Sequence, residues 1–330
     1  MASAQGDKTV KLFHKKLAGD ETGGMAVILV IWIVVILMAM VGEFTYSMRT
    51  EINITRNFKE EEEAYQLAIA GIEQAKLELL SVNDLRGIHF GEDNVLILDP
   101  EEEVLPERKR ELGRGSFEYT ITDEDGKLNI NGATQEQLKS VFLDSGVETE
   151  EVDTIVDSIL DWIDTNDLHR LNGAEEEYYQ SLDQPYSCKD AQFETIEELL
   201  LVKGMTPEIF YGSDAVRKTS DAVDEENEPR FTGVLNLLTV VGSGTININT
   251  SPEPVLTAVL GEAAADTIIP QRSTAPFLNA VTNGKVDSQY FTITSTGKNL
   301  DGSIKRTIKT VVLRQPKNLV ILYWNDNVIG

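Results

Sequence analysis

From Met25 to Val41 the chain reads MAVILVIWIVVILMAMV, 17 residues without a charge. As a helix this stretch covers about 26 Å, close to the hydrocarbon thickness of a bilayer. Beyond Gly42 the apolar positions move to spacings of three and four: Phe44, Met48 and Ile52, then Ala64, Leu67, Ala68, Gly71, Ile72, Ala75 and Leu79. That spacing predicts that the helix continues, now amphipathic, to Leu80, as one rod about 84 Å long. The run Glu60 to Glu63 reads as a solvated face or a spacer on it.

Farther on the period changes to two. Phe117 to Thr122 (FEYTIT), Tyr290 to Ser295 (YFTITS), Ile304 to Leu313 and Leu319 to Trp324 (LVILYW) alternate or are β-rich, with turn signals at Asp125-Gly126 and Asp301-Gly302. They predict one antiparallel sheet whose first strand lies roughly 160 residues before the last three. Most of the intervening chain has helical character, so a large helical insertion splits an α+β domain. Within it, KLNINGATQEQL (127–138) and TININTSPEPVL (245–256) form a weak repeat. In each, a short strand ends in Asn before a small or hydroxyl residue suited to cap a helix. Such units, with LLVKGMTPE (200–208), resemble helix-hairpin-helix modules, which often bind DNA phosphates.

Charge argues against that use. The chain has 29 Lys and Arg against 55 Asp and Glu, a net of −26. The first 24 residues net +1 and the apolar run adds nothing, so residues 42–330 carry −27. A surface this negative repels a phosphate backbone, and nucleic acid is not an expected partner. The repeat is read as scaffold. The single Cys188 permits no disulfide within the chain and lacks the neighbours of a zinc site. No Ser/His/Asp or Cys/His arrangement is visible around His14, His89 or His169, so the chain is not expected to be an enzyme.

Lys8, Lys11, Lys15 and Lys16 precede the apolar run, and the positive-inside rule keeps that leader cytoplasmic and sends the chain after Glu43 across the membrane. Gly23-Gly24 stand before the apolar stretch, whereas a secretory signal places its cleavage site after it. The stretch reads as a retained anchor.

The segment Ile159 to Tyr179, ILDWIDTNDLHRLNGAEEEYY, gathers Asp161, Asp164, Asn166, Asp167, Glu175 and Glu176 around one loop. Hard oxygen donors of this kind suit calcium, although Leu168 and His169 break the EF-hand template; a solvated acidic loop is the alternative. Crowded carboxylates would repel one another without a cation.

A leader ending in glycine, an apolar half-helix and an amphipathic half-helix together resemble the type IV pilin-like family. In that family a prepilin peptidase cleaves after the glycine, here Gly24, leaving Met25 first. Most members carry Glu at the fifth mature position, where this chain has Leu29. In the family that Glu is thought to neutralise the N-terminal amine of the subunit ahead. A subunit without it accepts a follower but cannot follow, which implies the filament tip. Glu43, the nineteenth mature residue, lies too far along to substitute.

The ordered set of Gly24, the missing Glu, DEDGKLNIN, ILDWIDTND, GAEEEYY, LLVKGM and TININTSPEPVL is similar to the general secretion pathway protein K family, the large minor pseudopilins of type II secretion. The resemblance implies a type IV pilin-like fold with an inserted helical domain. Its segments would be leader 1–24, transmembrane half-helix 25–42, amphipathic continuation 43–80, first part of the α/β domain 81–122, insertion 123–285 and closing strands 286–330. It implies calcium in the acidic loop, with Asp164, Asn166, Asp167, Glu175 and Glu176 as candidate ligands. It also implies pseudopilin partners of the I and J types, an inner-membrane secretion platform and the prepilin peptidase. The site would be the inner membrane, single-pass, with the bulk of the chain periplasmic. Where relatives often show a third Asp, Asn166 stands, and Asp20-Glu21-Thr22 separate the leader lysines from the glycine. The competing readings are a minor pilin of a type IV pilus and a signal-anchored calcium-binding periplasmic protein.

Overall fold

The computed structural model describes residues 21–91, 94–101, 106–219 and 230–328, so Lys8, Lys11, Lys15 and Lys16 of the leader lie outside the described residues. Contacts divide the chain into two compact units, Met1–Glu62 and Glu63–Gly330. Helix α1 (Glu21–Ser81) contributes to both. In the first unit its side chains from Gly24 to Lys59 are exposed, including every residue of the apolar run. Among the described residues it is the one helix long and apolar enough to cross a membrane.

In the second unit the three-four spacing becomes a packed face. Ala64, Leu67, Ala68, Ile72, Ala75 and Leu79 are buried at 8% exposure or less, against Phe117, Tyr119, Ile121, Phe291, Ile293, Ile308 and Val312 of the sheet. The strands are β1 (His89–Phe90), β2 (Leu96–Ile97), β3 (Lys109–Leu112), β4 (Gly115–Asp123), β5 (Leu128–Asn129), β6 (Leu238–Thr239), β7 (Ile246–Asn247), β8 (Gly284–Lys285), β9 (Tyr290–Lys298), β10 (Lys305–Gln315) and β11 (Asn318–Asn325). The main sheet is antiparallel throughout, in the order β11-β10-β9-β4-β3.

The four strands read from alternation are all present. The fifth, β3, escapes that reading because Lys109-Arg110-Glu111-Leu112 is exposed on both faces. Its signal is the glycine turn that follows, where Gly113 has φ +63°. At the end of α1, Arg314 donates to the carbonyls of Leu79 (2.8 Å) and Val82, closing groups that no further helical turn can satisfy.

Between β4 and β9 the insertion builds its own core, from Leu128 to Val286. Its helices are α2 (Gln135–Asp144), α3 (Thr149–Ile163), α4 (Glu176–Gln180), a 3-10 turn (Ile196–Leu201), α5 (Pro207–Tyr211), α6 (Ser213–Thr219), α7 (Glu253–Leu260) and α8 (Glu262–Arg272). The two Asn-Ile-Asn units are structurally equivalent. Asn129 Oδ1 accepts from the amide of Asn131, and Asn247 Oδ1 from that of Asn249. Asn131 then exchanges two hydrogen bonds with the backbone of Phe193, as Asn249 does with Phe277. Each unit thus fastens a distant segment beside the helix it precedes. Thr134 caps α2 in a reciprocal capping box with Gln137.

Where the insertion joins the sheet, three consecutive acids at 123–125 are buried. Asp123 Oδ2 accepts from Ser288 Oγ (2.6 Å), Thr250 Oγ1 (2.6 Å) and Asn247 Nδ2 (3.2 Å). Glu124 pairs with Lys127 (2.6 Å) and Asp125 with Lys285 (2.7 Å).

Candidate metal centre

Helix α3 buries Val152, Ile155, Val156, Ile159 and Trp162, and on the same element buries Asp157 and Asp161. Two acids a helical turn apart need partners at that depth. Asp157 accepts from Gln135 Nε2 (3.0 Å) and from the backbone and side-chain nitrogens of Asn172 (both 3.2 Å). Asp161 accepts from the Arg170 amide and from Arg170 Nη1 at 2.5 Å, and that same nitrogen reaches Asp164 Oδ2 at 2.7 Å.

The loop therefore folds back over the end of α3 as an arginine clamp. Gly173 makes this possible, since a Cβ there would fall 1.9 Å from Asp161 Oδ2. The expected mutual repulsion of the loop carboxylates is corrected at Asp161 and Asp164, where the guanidinium supplies the opposite charge.

The five candidate ligands part company. Asp164 belongs to Arg170 and to the Asn166 amide, Asn166 turns its carboxamide back into its own loop, and Asp167 is exposed. Glu176 accepts from the Cys188 amide (2.7 Å) and Gln180. Glu175 alone enters a buried cluster. Its ligand atom, Cys188 Sγ and an Asp190 oxygen all lie within 4.8 Å of one another. Glu175 is 5% exposed, and neither of its oxygens has a hydrogen-bond partner; Asp190 Oδ1 is likewise buried without one.

Asp190 was not among the sequence candidates, nor was Cys188. A left-handed backbone at Asp190 (φ +50°) turns the segment after Cys188 inward. An aromatic group of Trp162, Tyr179, Tyr186 and Phe193, with ring centroids 5.1 to 6.4 Å apart, packs beside it and holds α3 and α4 together.

Electrostatics here are unbalanced. Burial, reinforced by the carboxylates of Asp161, Asp164 and Asp190 and opposed by Cys188, pushes Glu175 up to about 7. Burial and the neighbouring Asp190 push the Cys188 thiol up to about 12, so it is protonated at neutral pH. Orphaned carboxylate oxygens beside a neutral thiol fit a hard cation through Glu175 and Asp190 better than a thiolate-bound soft one.

The segment that carries this cluster is similar to known proteins. Residues 119–212, which run from the middle of β4 through the clamp and the cluster, match the model of the family described as type II secretion system (T2SS), protein K. An Escherichia coli (strain K12) protein named as a type II secretion system protein K is 23% identical over 207 residues. That match covers 58% of this chain and 60% of the relative, under two thirds of its length. The type II secretion system protein K of Pectobacterium carotovorum subsp. carotovorum is 32% identical over 65 residues, 20% of each chain. Among solved structures, a chain of the GspK-GspI-GspJ complex of the enterotoxigenic Escherichia coli type 2 secretion system is similar with a TM-score of 0.57. The identity is 17%, over 86% of this chain and 99% of that one. A long apolar helix running into an antiparallel sheet, the helical insertion and these matches lead to one conclusion: residues 119–212 are similar to type II secretion system protein K, in a fold shared with a chain of the GspK-GspI-GspJ complex.

Proposed function

We propose that this chain is a minor pseudopilin at the tip of a type II secretion pseudopilus, where it starts or caps assembly for the export of folded proteins. The observation that carries this reading is the joining of an exposed apolar half-helix to a sheet domain whose β4-to-α5 region matches protein K. Its partners would be GspI-like and GspJ-like subunits, as in the complex it resembles, together with the secretion platform. In this reading the leader is cytoplasmic, the unit Glu63–Gly330 periplasmic, and α1 the single inner-membrane span.

Leu29, 59% exposed on α1, places no carboxylate at the fifth position after Gly24, which supports a leading rather than a following subunit. Prepilin peptidase is the enzyme proposed to cut between Gly24 and Met25. A Gly24→Leu chain should retain its leader and lose secretion, read by N-terminal sequencing of membrane-extracted protein and by a cargo export assay. Full export by uncut chain would overturn the reading.

We further propose that the cluster holds calcium, with Glu175 and Asp190 as the residues that bind it. When bound, the ion supplies the positive charge that Arg170 gives Asp161 and Asp164. Stabilisation by RT ln(1 + [L]/Kd) is about 2.7 kcal/mol at 100 times Kd. Chelator should therefore lower the melting temperature of the full chain, and magnesium should restore it poorly because it demands a tighter octahedral shell. Glu175→Gln should abolish the calcium response, whereas Asp167→Asn should keep it. A melting temperature indifferent to calcium in the unsubstituted chain would remove the proposal.

A further inference from the structure

The main sheet has a second face. Along β4 and β9 alternate residues, Ile121 and Ile293 among them, turn to α1, so Thr122, Thr292 and Thr294 turn the other way. The register sets Thr122 opposite Thr292, Thr292 opposite Val311 and Val311 opposite Tyr323, with Lys309 opposite Thr294. Across a chamber of about 210 Å³ this floor faces an apolar wall from the insertion: Ile196, Leu235, Val240 and Val241. Exposed Asn236 and Leu322 also line the chamber, which opens to solvent beside them.

The lining specifies a guest in three respects. Each charged side chain in it is already paired: Glu124 with Lys127 at 2.6 Å, Glu197 with Lys309 at 3.3 Å and Glu194 with Lys189 at 3.9 Å. A charged guest would lose its water there without gaining a counter-ion, so the guest is neutral. The Thr292 hydroxyl donates to Glu124 at 2.7 Å, whereas the hydroxyls of Thr122, Thr294 and Tyr323 have no hydrogen-bond partner among the described residues. Each of these can donate and accept, and the groups that answer such a row are other hydroxyls or amides. The volume lies below the roughly 300 Å³ at which pockets for drug-sized molecules begin, which leaves room for one ring.

We propose that this chamber is a binding site for one neutral, N-acetylated sugar ring. The ring hydroxyls exchange hydrogen bonds with Thr122, Thr294 and Tyr323, and the acetamido methyl packs against Val240 and Val241. A wholly apolar guest fits less well, because it would leave the three hydroxyls of the floor dry and unpaired.

The probe is N-acetylglucosamine, titrated into full-length protein in a detergent without a sugar headgroup and followed by saturation-transfer NMR. Transfer should reach both the acetamido methyl and the ring protons. Thr122→Val combined with Thr294→Val removes two hydroxyls at nearly constant shape and keeps the preference for a strand. It should weaken binding by roughly tenfold without lowering the melting temperature. Val241→Phe, which narrows the chamber from the opposite wall, should give a comparable loss. Glucuronate, similar in size but charged, should show no transfer at the same concentration. Absence of transfer to N-acetylglucosamine overturns the proposal. So does unchanged binding by both variants, which would put the sugar elsewhere on the protein. Equal transfer to glucuronate would remove the neutral guest, and transfer to benzene but not to the sugar would make the chamber an apolar hole.

Discussion

Full-length protein carrying Gly297→Val is expected to melt roughly 6 to 12 °C below the unsubstituted chain, the effect of about 3 kcal/mol in a unit of this size. The reason is the closeness of α1 to the sheet. A Cβ at 297, on β9, would lie 2.0 Å from the Ala64 carbonyl oxygen and 2.5 Å from the Ala68 nitrogen. Both are backbone atoms of a helix, which cannot step aside as a side chain can. Valine would lift α1 off the sheet and open the contact made by Ala64, Leu67 and Ala68. Gly132→Ala is the control, since nothing lies within 4 Å of its Cβ, and it should stay within about 0.5 kcal/mol. Circular dichroism melting of the two variants decides the matter; equal midpoints would mean that α1 is not seated this closely.

The second large effect centres on Asp123. Asp123→Ala leaves Ser288, Thr250, Asn247 and the Asp125 amide without their shared acceptor, at a cost of at least about 3 kcal/mol. The pH dependence has a definite sign. Burial outweighs the hydrogen bonds from Ser288 and Thr250 and pushes Asp123 up to about 7, against roughly 3.9 for an unfolded aspartate. A group raised in the folded state contributes stability that is fully present below the unfolded value and is lost as pH rises through the folded one. Calcium-free protein should therefore lose stability between about pH 4 and pH 7, where Glu175 acts in the same direction. Asp123→Asn should flatten that slope in a Glu175→Gln background. Denaturant midpoints at several pH values test it; an unchanged slope would mean that Asp123 ionises as an exposed acid does.

Much of the fold was legible because its long elements are amphipathic. The residues Ala64 to Leu79 that were spaced for a helix face are the ones α1 buries, and Phe117, Tyr119 and Ile121 alternate inward on β4. Strand β3 was not legible, because an edge needs no buried side and its sequence shows none. The two-residue strands of the insertion are too short to carry a period, though the Asn repeat marked two of them.

The candidate site was half legible. An acidic loop announces donors, but whether a carboxylate is spare depends on its neighbours in space, and composition does not reveal that Arg170 takes two of them. Asp190 and Cys188 sit beyond the loop in a segment with no pattern. They meet Glu175 in space, beside the packed rings of Trp162 and Tyr179 and the hydrogen bond from the Cys188 amide to Glu176.

The interrupted sheet governs the order in which the molecule can assemble. Asp123 and Ser288, 165 residues apart, are joined by a hydrogen bond where β4 and β9 run side by side. Closing a loop of that length in an unfolded chain costs about 4.5 kcal/mol of entropy before any strand pairing offsets it. An insertion that has already gathered its own core from Leu128 to Val286 delivers both ends to one place and removes most of that barrier. During synthesis β4 emerges first and waits through the whole insertion for β9. The helical domain thus serves the sheet as its splint, and packing against the buried face of α1 is completed only after it.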